Sequence, residues 1–158
     1  MILYFLRHGQ AGLHEEWKGD DGLRPLTKQG MKSMVKSADL FADLKLGLDL
    51  IVTSPLARAF QTADIVADRL KLSEQLIQDE RLSPGCGIED LARILQDHAQ
   101  AKALMLVGHE PDFSLTIGAL IGGGRVVCKK GGLARVDIIS TDPLQGELVW
   151  LVPPKLMA

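Results

Sequence analysis

The sequence has little of several things that would make its function easy to read. Of 158 residues only two are cysteine, Cys86 and Cys128, and neither stands in a CxxC or other metal-ligand spacing. A disulfide framework and a zinc site are therefore not indicated, and two idle thiols in a reducing compartment are the simpler reading. Aromatic residues make up 4% of the chain, and the formal net charge is only −2. That charge excludes the basic excess typical of nucleic-acid-binding domains. The one basic doublet, Lys129-Lys130, sits beside Gly131-Gly132 and reads as a solvated turn. Apolar runs are short, far from the ~20 residues of a membrane-spanning helix. Only five apolar residues precede Arg7, without a basic leader, so no signal peptide is expected. A cytoplasmic protein with no membrane or nucleic-acid partner is the expectation.

What is present is enough for one domain over residues 1–158, with 46% apolar and 24% charged residues. Ile2 to Leu6 is an unbroken apolar run containing β-branched and aromatic residues, the pattern of a strand buried on both faces. It ends in Arg7-His8-Gly9. In open α/β sheets ligands bind beyond the carboxyl ends of the strands, so a cation and an imidazole would stand at a crevice there.

A polar loop from Gln10 to Pro25 follows. Thr27 is placed to cap a helix with an apolar stripe through Met31, Met34, Val35, Ala38, Phe41 and Leu44, closed by Gly47. Leu48 to Thr53 reads as a second strand. Ser54 and Pro55 then suit the N-cap and first position of a helix whose core face runs through Ala59, Phe60, Ala63, Val66, Ala67 and Leu70. Arg58 falls in its first turn, where a cation opposes the helix dipole at a cost of roughly 0.3–1 kcal/mol. A solvent-exposed arginine and an arginine sharing an anion with the helix N-terminus account for this equally well.

Farther on, Leu76-Ile77 suggests a short strand and Ile88, Leu91, Ala92 and Leu95 an amphipathic helix. Gly85-Cys86-Gly87 lacks the strand and third glycine of a dinucleotide fingerprint. Ala103 to Val107 is another apolar strand, ending in Gly108-His109-Glu110, with Pro111 opening a helix to about Ile121. Strands are predicted near Arg125–Cys128, Leu133–Ile139 and Glu147–Val152, the first two joined by a Gly131-Gly132 hairpin. Alternating strands and helices point to an α/β fold, a three-layer α/β/α sandwich with a mostly parallel central sheet. Three strand ends would then bring Arg7, His8, Arg58 and His109 to one rim, which packing alone does not explain.

Leu6-Arg7-His8-Gly9 resembles the signature of the histidine phosphatase superfamily, which includes the phosphoglycerate mutases. Thr53 to Ala63 resembles its second motif and Val107-Gly108-His109-Glu110 its third. Within it, the short chain and Arg24-Pro25-Leu26-Thr27-Lys28-Gln29-Gly30 are similar to the SixA-type phosphohistidine phosphatases. The resemblance implies a phosphoglycerate mutase-like fold, with His8 as the nucleophile that becomes phosphorylated. Arg7, Arg58 and His109 would hold the phosphoryl oxygens, with Gln10 and His14 as further contacts. No metal or cofactor is implied, since the guanidiniums supply the neutralising charge. Relatives acting on alcohol phosphates carry a glutamate as general acid after an Arg-Leu-like pair; here Pro84 stands in its place. Glu80 or Glu110 could substitute. An imidazole leaves a P–N bond with less protonation than an alkoxide requires, so the implied substrate is a histidine-phosphorylated protein of a phosphorelay or phosphotransferase system. The lack of long insertions fits an open site for such a partner, and a monomer is compatible with the chain. A small-molecule phosphomonoesterase or mutase is the alternative enzyme, and a non-catalytic phosphohistidine-binding module the alternative from another class.

Overall fold

The structure, a computed structural model, describes residues 1–157. The strands and α-helices follow in the order β1 (Ile2–Arg7), α1 (Lys28–Asp43), β2 (Leu50–Thr53), α2 (Ala57–Leu70), β3 (Leu76–Gln78), α3 (Ile88–Asp97), β4 (Ala103–Gly108), α4 (Asp112–Leu120), β5 (Leu133–Thr141) and β6 (Leu144–Val152). The strands form one sheet in the order β3-β2-β4-β1-β5-β6. The first four are mutually parallel, and β5 and β6 run antiparallel at one edge. This is the expected mostly parallel α/β sheet.

Side-chain alternation along the strands builds two cores. Leu3 and Phe5 of β1 and Leu104 and Leu106 of β4 face Leu91, Ile94, Phe113 and Ile117, from α3 and α4. Tyr4 and Leu6, with Met105 and Val107, face Met34, Phe41, Ala63 and Val66, from α1 and α2. The helices thus cover both faces of the sheet, and Phe5 meets Phe113 edge-on at a centroid distance of 5.2 Å.

Thr27 caps α1 as expected, its hydroxyl accepting from Gly30 N–H at 2.9 Å. Helix α1 ends at Asp43, before Gly47. Two expectations are corrected. Helix α2 starts at Ala57 with Leu56 at its N-cap, so Ser54 and Pro55 lie in a turn before it. Residues Arg125–Cys128 form no strand, and Gly131-Gly132 is no hairpin turn; the hairpin joins β5 to β6 through Asp142-Pro143. Both flanks of β1 are already occupied, by β4 and β5. The segment after α4 instead folds back on that helix, where Gly124 O comes so close to Gly118 that a Cβ there would stand 2.9 Å from it.

No helix among the described residues is long and apolar enough to cross a membrane.

Candidate active site

The register of the two central strands sets the site. Arg7 at the end of β1 pairs with Gly108 at the end of β4, so His8 and His109 follow side by side. Their ring centroids are 5.3 Å apart. Both are buried, at 7% and 3% exposure. Backbone bonds fix the strand end: His8 N–H donates to Gly108 O at 3.1 Å, and Gly131 N–H donates to the carbonyls of Arg7 and His8, each at 3.0 Å.

His8 Nδ1 lies 2.7 Å from Gly9 O. A carbonyl can only accept, so Nδ1 carries the proton and the lone pair resides on Nε2. Burial, and then the repulsion that an imidazolium here would meet from a protonated His109 and from Arg58 and Arg7, pull the His8 pKa down to about 3, against the favourable Gly9 bond. His109 is lowered to about 4, first by burial and then by Arg58. Both rings are therefore neutral at pH 7. His109 Nε2 lies 2.7 Å from the hydroxyl of Ser54, at the end of β2. That hydroxyl also accepts from Leu56 N–H at 3.3 Å, and with a second lone pair and its own proton it can either accept from the His109 ring or donate to it.

Arg58, from the first turn of α2, is buried at 5% exposure, which removes the solvent-exposed reading of its place in the sequence. Its guanidinium donates to Asp21 twice, Nη1 to the carbonyl at 3.0 Å and Nη2 to Oδ2 at 3.1 Å. Arg7 Nη1 donates to Cys128 O at 2.9 Å. Burial lowers the pKa of both arginines, an effect that Asp21 offsets at Arg58 and Glu110 offsets at Arg7. Among the described residues, three buried side-chain nitrogens have no hydrogen-bond partner: Arg7 Nε, Arg58 Nε and His109 Nδ1. All three belong to the predicted constellation. Buried donors are costly when unpaired, so donors clustered without acceptors are the counterpart of an anion.

The remaining candidates are placed differently. His14 is exposed and bonds Asp21 Oδ1 at 2.9 Å, so it reaches Arg58 only through that carboxylate. Gln10 has an exposed side chain, while its carbonyl accepts from Thr27 N–H at 3.0 Å and packs so closely on Gly30 that no side chain fits there. Glu80 is exposed, and its bonding partner is the Ser83 hydroxyl at 3.4 Å. Glu110 directs one oxygen to Ser114 N–H at 2.9 Å and the other to the Ser114 hydroxyl. Among the described residues no carboxylate hydrogen-bonds either His8 or His109, and no group of three or more His, Cys, Asp or Glu is placed to hold a metal ion.

Several residues that matter to the geometry were given no part in the site by the sequence. Asp21 neutralises part of Arg58 from inside a polar loop. Ser54 carried the signal of a helix cap. Thr62, fully buried, accepts from Gly9 N–H at 3.0 Å and donates to Arg58 O at 2.8 Å, tying the turn after His8 to the helix that bears Arg58. A threonine i+4 from a first-turn arginine would look like ordinary helix filling.

Neutral imidazoles beside two guanidiniums on a strand-end rim are chemically suited to holding a phosphoryl group. A profile of the histidine phosphatase superfamily (branch 1) matches residues 3–84, and the chain belongs to that superfamily. It is 34% identical to an uncharacterised protein of Picosynechococcus sp. over 98% of each chain. It is also 32% identical, over 87 residues, to the phosphohistidine phosphatase SixA of Escherichia coli K12, a match covering 55% of this chain and 52% of that one. The structure of a protein histidine phosphatase SixA complexed with tungstate shares the fold, with a TM-score of 0.89 and 23% identity over the full length of both chains.

Proposed function

We propose that the protein is a metal-independent phosphatase that removes the phosphoryl group from phosphohistidine on other proteins. The observation that carries the reading is the state of His8: neutral, with Nδ1 engaged by Gly9 O and Nε2 left as a nucleophile beside Arg7, Arg58 and His109. The Nε2 lone pair attacks phosphorus, and the P–N bond of the substrate breaks with its electron pair leaving on the substrate imidazole, which takes a proton from solvent. Water then attacks the phosphoryl group on His8. The P–N bond to His8 breaks in turn, releasing inorganic phosphate and restoring neutral His8. Splitting one displacement into two lowers each barrier. Arg7, Arg58 and His109 Nδ1–H supply donors to the three phosphoryl oxygens, whose charge is dispersed in the transition state.

The substrate class follows from the acid. An alkoxide leaving group needs a proton as the bond breaks, whereas an imidazole departs as a weaker base. The Glu110 carboxylate is engaged on both oxygens by Ser114, and Glu80 bonds Ser83. This arrangement supports a P–N substrate, as does the similarity to a phosphohistidine phosphatase. The partner is then a phosphorelay or phosphotransferase-system protein in the same compartment, the cytoplasm, and the activity serves signal transduction.

The test compares a histidine-phosphorylated carrier protein with a simple alcohol phosphate, both in excess chelator. Phosphate release from the carrier alone, abolished in His8→Ala, is the expected result. Equal or faster release from the alcohol ester, loss of activity on chelation, or full activity in His8→Ala would overturn the proposal.

A further inference from the structure

Ser114 does nothing in the reaction just described, yet it occupies the junction of three segments. Its N–H and hydroxyl both donate to Glu110, the residue that follows His109. With its proton directed to Glu110, the hydroxyl oxygen accepts from Cys128 N–H at 3.0 Å. The carbonyl of the same Cys128 accepts from Arg7 Nη1. A chain of hydrogen bonds thus runs from Glu110 through Ser114 and Cys128 to the Arg7 guanidinium.

The segment that carries Cys128 has no helix or strand to hold it between α4 and β5. Val126 and Cys128 pack on the core, and its other hydrogen-bonded anchors are main-chain bonds at its two ends. Gly123 N–H donates to Gly118 O at 2.8 Å, and at the far end Gly131 N–H donates to Arg7 O while Arg7 N–H donates to Gly132 O at 3.2 Å. The Ser114 bond is the side-chain tie between them, directly at the residue whose carbonyl orients Arg7. Arg7 itself is only partly buried, and its Nε has no partner, so its direction depends on the Nη1 bond.

We infer that Ser114, held by Glu110, is a positioning residue that aims the Arg7 guanidinium at the phosphoryl oxygens through the Cys128 carbonyl. The inference rests on Arg7 being a phosphoryl ligand, as in the reading above. It also gives Glu110 a task other than proton transfer. Glu110 and His109 are neighbours in the chain, so the segment that places the imidazole also sets the guanidinium.

Calorimetric titration of the full chain with tungstate, a tetrahedral oxyanion, tests this without calling on turnover. Ser114→Ala weakens tungstate binding roughly tenfold, the loss of about one oriented hydrogen bond to a charged donor, and Ser114→Thr, which keeps the hydroxyl, restores it. In an Arg7→Ala background the Ser114→Ala substitution has no further effect, whereas in an Arg58→Ala background the tenfold loss persists. A residue that merely supported the fold would weaken binding in both backgrounds, and that result would overturn the inference. So would unchanged affinity in Ser114→Ala, or a threonine variant no better than alanine. Should Ser114→Ala not fold, Glu110→Gln carries the same comparison. A carrier protein left intact by a chain that still binds tungstate through Arg7 and Ser114 would refute the proposed substrate and leave this inference standing.

Discussion

Ser54 Oγ and His109 Nε2 lie 2.7 Å apart and join the ends of two parallel strands, β2 and β4. In the proposed reaction the hydroxyl donates to the ring so that Nδ1 carries the proton, and the tautomer of His109 is then set by a residue whose sequence position reads as a helix cap. Removing it in Ser54→Ala lets both tautomers coexist and leaves Nε2 unpaired. Turnover of a phosphohistidine carrier should fall roughly five- to tenfold, about the effect of one neutral hydrogen bond. Steady-state kinetics check this, and a variant with unchanged kcat would mean that His109 does not donate from Nδ1.

The pH dependence should be displaced from that of ordinary histidines. With His8 at about 3 and His109 at about 4, both stay neutral well below the usual value of 6.5. After subtraction of the acid-catalysed background, kcat/KM should show no acid limb near pH 6.5, only one below about pH 5. Stability carries the same sign. In the unfolded chain both imidazoles bind protons at about pH 6.5, while in the fold they do so only near 3 and 4, so stability falls as pH drops through that window. Denaturant titrations from pH 7 to pH 4.5 would measure it. His8→Asn should shallow the dependence by up to one proton.

Thr62 offers a structural test of the link between the turn after His8 and helix α2. Thr62→Val preserves shape but strands the buried Gly9 N–H, at a cost of about 1–3 kcal/mol. Thermal unfolding should shift down by several degrees, and Thr62→Ser should recover most of the loss. A valine variant as stable as the parent would show that Gly9 finds another acceptor.

Asp21 competes with any anion for Arg58. Its carboxylate is held well below the usual range, chiefly by the Arg24 and His14 hydrogen bonds and in smaller part by the Arg58 charge, so it remains charged under all ordinary conditions. Asp21→Asn keeps the loop contacts and removes the charge. Tungstate should bind roughly two- to fivefold tighter, the modest size expected of a partly exposed pair. Weaker binding would instead show that Asp21 is needed to hold Arg58 in place.

The strand ends were legible because period and punctuation agree there: apolar runs stop at Arg7-His8-Gly9, Thr53-Ser54 and Gly108-His109, and the sheet brings all three to one rim. Thr27 was legible as a cap because its hydroxyl serves only nearby main chain, accepting from Gly30 N–H and donating to Gln10 O. Ser54 was not, since the same residue type serves a cap and a histidine equally well, and only the tertiary fold assigns its hydroxyl. The strand expected over Arg125–Cys128 failed for a related reason. Its residues are suited to a strand, but β1 already has two neighbours, and Gly122, Gly123 and Gly124 all take positive φ as the chain turns back onto α4. Asp21 left no trace, because an acidic residue in a polar loop is the commonest thing a sequence can show.

The pairing of β1 with β4 has a consequence for how the protein reaches its working state. Ile2 of β1 pairs with Ala103 of β4, so these strands meet only by closing a long loop, a contact of high closure entropy and late reward. A slip of one residue between them would turn Leu3 and Phe5 to the wrong core and separate the two histidines. Oxyanion binding is therefore a stringent reporter of native register: during refolding it should return after helical content, in step with the closure of the sheet's centre.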